Sequence, residues 1–342
     1  MAGTGPKVVI YSAPFPPKIG GMEQFSRSLA VGLHDLGCDL EVVTDTLLPD
    51  GQPELALPFV VHRTTVMAEK LRHFAKAEAV IFIGMRLREG LLSIPLRKRI
   101  ILSHHGTYMD KNQPRTLVMG LAKRLVGRLF TNVSVSRFIA LKLGGRHRVI
   151  HACFDDTIFS GAQGAERPPG SFLFYGRLVS DKGGHLAIKA LAEVRRSNDS
   201  ARLTIVGGGP EKEALIQLAE EAGVADAVTF TGVLSNQELG RLVASSHCVV
   251  VPSIWEEPFG AVSLEALAGG CEVILSNRGG MHEGLGGYGW LIDPNVAELS
   301  AAMLRVSRGE KRRGPGVPEW LQAHTRDAIA REYLDEIRKR LA

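Results

Sequence analysis

Short apolar runs alternate along this chain with stretches whose apolar side chains recur every three or four positions, and the alternation occurs twice. KVVIYSAP (7–14) is an apolar run closing in a proline-rich loop, and GMEQFSRSLAVGLHDLG (21–37) then has helical spacing that stops at Gly37. DLEVVTD (39–45), AVIFIG (79–84), RIILSHH (99–105), TNVSVS (131–136) and RVIHAC (148–153) read as further strands. SGAQGAERPPGS (160–171) loses the periodicity and reads as a linker. The pattern then restarts, with SFLFY, ARLTIVG, AVTFTG, CVVVPS, CEVILSN and GYGWLID separated by helical stretches, one of them starting near Gly260. TRDAIAREYLDEIRKRL (325–341) is one amphipathic helix.

Strands alternating with helices predict parallel, doubly wound sheets. The expected fold is α/β, with two Rossmann-like domains facing each other across a cleft. The boundaries follow the breaks in pattern: 1–160, a linker at 161–171, 172–324, and a helix at 325–342 that returns toward the first domain. No repeat of solenoid period and no low-complexity segment interrupts this reading.

Composition fits two ordinary globular cores: 342 residues, 45% apolar and 23% charged. No window approaches the roughly 18 apolar residues of a spanning helix, and no apolar leader opens the chain, so the expected location is cytoplasmic. Cys38, Cys153, Cys248 and Cys271 lack ligand or disulfide spacing and read as buried thiols. Charge changes the picture more. Between Arg63 and Arg148 there are 18 Lys and Arg against four acids, a net of +14 within a total of +5, which leaves the rest at −9. Such asymmetry suggests a polyanionic partner for the first half. RTLVMGLAKRLVGRLF (115–130) interleaves apolar residues with Lys123, Arg124 and Arg128, as a helix at an anionic membrane surface would. A buried helix with a wet basic edge has the same pattern.

In parallel sheets ligands bind beyond the carboxyl ends of strands, where amides and helix N-termini favour anions. APFPPKIGG puts Gly20 and Gly21 at such an end, and IVGGGPE puts Gly207 at another; both are equally compatible with tight turns. YGRLVSDKGG (175–184) is more specific, because Arg177 and Lys182 follow a strand, precede a helix and can converge on a diphosphate. In WEEPFGAVSLEALAGG the amides of Phe259, Gly260, Ala261 and Val262 would open a helix toward the ligand. Glu265 lies less than two turns into that apolar helix and needs a donor. Sugar hydroxyls would serve, with Glu265 and Glu257 holding a ribose and a hexose on either side of a diphosphate; a salt bridge or a capping role is the alternative.

E-P-F-G-x-x-x-x-E at 257–265 resembles the signature of retaining glycosyltransferases of the GT-B fold, family 4. The resemblance runs along nearly the whole chain in order: GG at 20–21 with Glu23, HHG at 104–106, SVS at 134–136, GRLVSDKG at 176–183, VGGGP at 206–210 and GGMHE at 279–283. It implies a hexosyltransferase that takes a nucleotide-diphosphate sugar, UDP- or GDP-linked, as co-substrate, held mainly by the C-terminal domain. It places Arg177 and Lys182 on the pyrophosphate, Glu265 on the ribose, and Glu257 with the amides 259–262 around the sugar and phosphates. It also implies that His105 lies beside the donor sugar and that Gly20 and Gly21 close over the diphosphate. Two departures bear on the acceptor side: VIHACFDD (149–156) carries His151 and Cys153 where the family commonly has Pro-Asn-Gly, and the N-terminal domain is short between Thr44 and Arg63.

With no free carboxylate to act as nucleophile, the expected chemistry is front-face transfer with retention, the departing diphosphate being stabilised by Arg177, Lys182 and a helix N-terminus. His105 as a general base would instead suit inversion. No D-x-D motif stands at a strand end, so no metal and no cofactor are expected. The expected acceptor is a glycan, glycolipid or lipid-linked molecule of bacterial surface polysaccharide or glycolipid synthesis, with peripheral contact to anionic membrane. Nucleic acid is not expected, since no RNA-binding aromatic pattern occurs. A nucleotide-sugar epimerase of the same fold and a non-catalytic binding module stay open.

Overall fold

The computed structural model describes residues 5–18, 20–108, 114–159 and 166–342; the side chains of 114–117 are outside the description. In chain order the first elements are β1 (Lys7–Ser12), α1 (Gly21–Asp35), β2 (Asp39–Thr44), β3 (Val60–Arg63), α2 (Met67–Lys76) and β4 (Ala79–Ile83). Next come α3 (Leu87–Leu92), β5 (Ile100–His104), α4 (Pro114–Gly127), β6 (Thr131–Ser134), α5 (Arg137–Leu143) and β7 (Arg148–Val149). A second series follows: β8 (Ser171–Tyr175), α6 (Gly184–Arg195), β9 (Arg202–Val206), α7 (Lys212–Glu221), β10 (Val228–Gly232), α8 (Asn236–Ser245) and β11 (Cys248–Val251). It continues through α9 (Ala261–Gly269), β12 (Glu272–Ser276), α10 (His282–Leu285), β13 (Trp290–Ile292), α11 (Val296–Ser307), α12 (Val317–Gln322) and α13 (Arg326–Leu341).

These form two compact units, 1–153 with 324–342, and 154–323. In the first, seven parallel strands run in the order β3-β2-β1-β4-β5-β6-β7. Strands β4 and β5 are buried at every position, as sheets covered on both faces are. α13 packs on α1 within this unit. Its N-cap, Thr325, accepts from the Ala328 amide, a bond of the kind worth about 1 kcal/mol. One buried ion cluster departs from the apolar rule: Lys70, 2% exposed, pairs with Asp45 and with Glu89 at 2.9 Å. Part of the basic excess between Arg63 and Arg148 is therefore neutralised inside the core.

The second unit has six parallel strands in the order β10-β9-β8-β11-β12-β13. Its core gathers Phe172, Phe174, Leu191, Ile205, Val250 and Ile274 with the apolar faces of α6 and α11. α8 opens with a full capping box between Ser235 and Glu238. All four cysteines are buried.

The linker expectation needs correcting. The units part between Cys153 and Phe154, and Ser171 is already the first residue of β8. Arg167 explains the difference, since Nε donates to the Ala244 carbonyl at 2.8 Å and Nη2 to that of Gly269 at 2.7 Å, which fixes this segment to the second unit. Residues 161–165 of the expected linker lie outside the described residues. The strand expected at 148–153 is limited to Arg148–Val149. β3, at 60–63, was not predicted; VVHR is too short and too polar at its end to stand out.

Candidate functional site

In the second unit strand order reverses between β8 and β11. A doubly wound sheet binds ligands outside the carboxyl ends at that point. The loops leaving these two strands hold Arg177, Lys182 and Glu257, and they are stitched together. The Ile254 amide donates to the Asp181 carbonyl at 2.8 Å, and Ser253 Oγ lies 3.1 Å from the same carbonyl. At Gly183, which has φ of 74°, a Cβ would stand 2.0 Å from the Pro252 carbonyl oxygen. Only glycine permits that approach. The loop after β9 is tied in the same way: Leu178 N–H donates to the Gly208 carbonyl at 2.9 Å, and Gly207, at φ 134°, leaves no room for a Cβ beside Gly176.

Lys182 Nζ donates to Glu257 Oε1, which also accepts from Ser253 Oγ at 3.0 Å. Arg177 is exposed and has no side-chain partner among the described residues. Glu265 finds its donor in Tyr175, whose hydroxyl lies 2.9 Å from Oε2 and 3.3 Å from the Val262 carbonyl. Burial pushes the Glu265 carboxyl up to about 7, against the opposing pull of that hydrogen bond; nearby Asp155 adds a smaller push upward. Two carboxylates in one region thus sit in different electrostatic settings, one paired with an ammonium and one half-protonated near neutrality.

α9 begins at Ala261, with Gly260 as its N-cap at φ 81° and no side-chain cap. Its first amides are left to whatever anion approaches. Phe259 itself is core, 3% exposed. The helix is apolar nearly all round, with Leu264, Ala266 and Leu267 buried, so Glu265 is its one charged side chain.

Sequence reasoning passed over Tyr175 and Ser253. The signal for Tyr175 was a tyrosine ending the apolar strand SFLFY, since a buried phenol needs a partner.

The remaining expected residues lie in the first unit. His105 Nε2 is 2.9 Å from Ser103 Oγ, which is 2.7 Å from the Tyr333 hydroxyl of α13. Its ring lies 4.5 Å from that of Phe25. Burial, with a smaller push from His104, depresses the His105 pKa to about 3, so it is neutral at pH 7. Gly20 caps α1, and the tip of Glu23 lies where a Gly20 side chain would be, whereas the space beside Gly21 is open. Lys123 stands 5.2 Å over the Tyr108 ring, while Arg128 is exposed and Arg124 half-buried. His151 stacks on His324, with Nδ1 3.0 Å from Nε2, so the departure at 149–156 makes a contact with the turn before α13.

Residues 156–314 match the glycosyl transferases group 1 family. This matched segment is a little under half of the chain. A curated relative is a glycogen synthase of Mycobacterium tuberculosis, 40% identical over 148 residues, which are 42% of this chain and 36% of the relative. A GDP-mannose-dependent alpha-(1-6)-phosphatidylinositol monomannoside mannosyltransferase of the same species is 37% identical over 187 residues, 51% of this chain and 48% of the relative. The matched segment thus spans from about a third to about half of these relatives' length. Among solved structures, sucrose-phosphate synthase from Thermosynechococcus elongatus has a TM-score of 0.75 at 20% identity, covering 98% of this chain and 99% of that one. HepE from Anabaena, in complex with UDP, has a TM-score of 0.77 at 18% identity, covering 97% of this chain and 100% of the other. The shared fold is GT-B, two Rossmann-like doubly wound units. No helix among the described residues is long and apolar enough to cross a membrane.

Proposed function

We propose that this chain is a retaining hexosyltransferase that moves a sugar from a nucleoside diphosphate, UDP or GDP, to a glycan, glycolipid or lipid-linked acceptor. The observation that carries this reading is the pairing of Lys182 with Glu257 and of Tyr175 with Glu265 around the β8/β11 switch point. An ammonium has three donors, so Lys182 can keep Glu257 and still bind phosphate. Glu257 then has its second oxygen for a sugar hydroxyl. Glu265 likewise has one oxygen that no side chain among the described residues engages, suited to a ribose hydroxyl.

Departure of the diphosphate builds negative charge, which Arg177, Lys182 and the α9 N-terminus would stabilise without reorganising. The acceptor hydroxyl would attack from the same face and give its proton to the leaving phosphate oxygen. No metal enters this scheme. A neutral His105 with a pKa near 3 is a poor base at pH 7 and a reasonable hydrogen-bond partner for a hydroxyl, which favours retention over inversion.

The relatives that act on phosphatidylinositol mannosides support a lipid-linked acceptor, and α4 supports peripheral contact with the cytoplasmic face of a membrane. Val118, Leu121 and Leu125 lie at helical spacing on α4 and are 72%, 56% and 53% exposed, beside Lys123, Arg124 and Arg128. The wider role would be synthesis of a bacterial surface polysaccharide or glycolipid.

The test is incubation with UDP- and GDP-sugars and candidate acceptors, with and without EDTA, followed by NMR of the product anomer. A product of retained configuration, formed equally with EDTA, is expected. Inversion or EDTA inhibition would overturn the mechanism, and interconversion of donor sugars without an acceptor would overturn the transferase reading.

A further inference from the structure

A cavity of about 660 Å³ opens in the first unit between the end of α4, the loop joining α5 to β7, and the last turns of α13. It reaches the first residues of β6 and β7, whereas Gly20 and His105 follow the carboxyl ends of β1 and β5. Strand alternation also turns His104, which lines it, to the opposite face of the sheet from Ser103 and His105.

Its lining is strongly cationic: Arg124, Arg128, Arg146, Arg148, Lys339 and Arg340 contribute, against the carboxylate of Glu336. That carboxylate is already committed, since Arg148 Nη1 donates to Glu336 Oε2 at 3.0 Å. Arg340 Nη1 donates to the Lys98 carbonyl at 3.1 Å. Arg124, Arg128, Arg146 and Lys339 have no ion-pair partner among the described residues, and Arg124 Nε is buried without a hydrogen-bond acceptor. A buried guanidinium N–H left unbonded is costly, and four unpaired cations around one concavity repel one another. Both costs vanish if an anion with several acceptor oxygens enters. Planar guanidinium forks suit phosphate. The volume exceeds that of a phosphate and leaves room for the group it is attached to.

We propose that this cavity is an anion site, separate from the donor loops of the second unit, that takes the phosphate or diphosphate group of a larger ligand, either a phospholipid headgroup or a soluble phosphorylated molecule. The inference does not rest on glycosyl transfer, and its test needs no donor or acceptor.

The probe is pyrophosphate, titrated calorimetrically into the full chain carrying Lys182→Ala, which removes a phosphate contact of the second unit. Binding should persist in that background and weaken at least tenfold on adding Arg146→Ala or Arg124→Gln, while Arg72→Ala, on the exposed face of α2, leaves it unchanged. Melting curves without ligand check that each variant folds; Arg146 is exposed, so Arg146→Ala keeps the test valid if Arg124→Gln does not fold. Loss of all pyrophosphate binding with Lys182→Ala alone, or binding indifferent to both arginine substitutions, overturns the proposal. Flotation with phosphatidic acid in phosphatidylcholine vesicles then separates the two sources: capture that pyrophosphate competes away and Arg146→Ala abolishes supports the headgroup, and pyrophosphate binding without capture supports the soluble ligand.

Discussion

The Tyr175 hydroxyl stands 2.9 Å from Glu265 Oε2, joining the end of β8 to the second turn of α9. Burial raises this carboxyl to a pKa of about 7 against the downward pull of the bond, and there a small change of environment changes its charge. Its consequences can be measured without knowing the substrate.

Because folding raises the Glu265 pKa from an ordinary 4.5 to about 7, the native state holds a proton there that the unfolded chain has lost. The contribution of this group to stability is therefore fully present below pH 4.5 and is lost as pH rises through 7, by roughly 3 kcal/mol at most. Glu265→Gln should flatten this part of the melting-temperature profile between pH 4.5 and 7. Parallel profiles for the parent and the variant would contradict the assignment.

Tyr175→Phe removes the donor that restrains the carboxyl, so the pH-dependent step in stability should move above 7. The lost bond should also cost about 1–3 kcal/mol near neutral pH. Melting curves of Tyr175→Phe with and without Glu265→Gln read both effects.

In the proposed transfer, Arg177→Ala and Lys182→Ala would each remove a cation from the departing diphosphate. Turnover should fall about 100-fold or more with little change in unliganded melting temperature. Near-normal turnover in either variant would remove that residue from the scheme.

Lys70 in the first unit is a stability residue rather than a ligand. Lys70→Met strands Asp45 and Glu89 in the core, and should cost about 3–5 kcal/mol by denaturant unfolding. A loss under 1 kcal/mol would mean that water reaches the cluster.

Much of this architecture was legible because parallel strands buried on both faces leave uninterrupted apolar runs such as AVIFI and VILS, and Gly and Pro mark their ends. The chemistry-bearing loops were legible for the same reason: Arg177 and Glu257 stand directly after such runs. Pairing was not. Nothing in the spacing of Lys182 and Glu257, 75 positions apart, says that they meet, because strand order decides it. The missing donor of Glu265 could be inferred as a need but not named, since Tyr175 lies 90 positions away. The linker was misplaced because Arg167 looks like a loop residue until its two carbonyl partners are seen. The basic excess was read as surface, and Lys70 shows how one cation of it is spent inside.

The most direct test of the account is thermal unfolding of the chain with UDP, GDP, ADP and dTDP in parallel, repeated on Glu265→Ala. A nucleotide that binds the folded state at about 100 times its dissociation constant adds roughly 2.7 kcal/mol. A clear rise in melting temperature with UDP or GDP that disappears in Glu265→Ala is expected. A rise of equal size in the variant, or none with any nucleotide in the parent, would contradict a donor site built on Glu265 and Lys182.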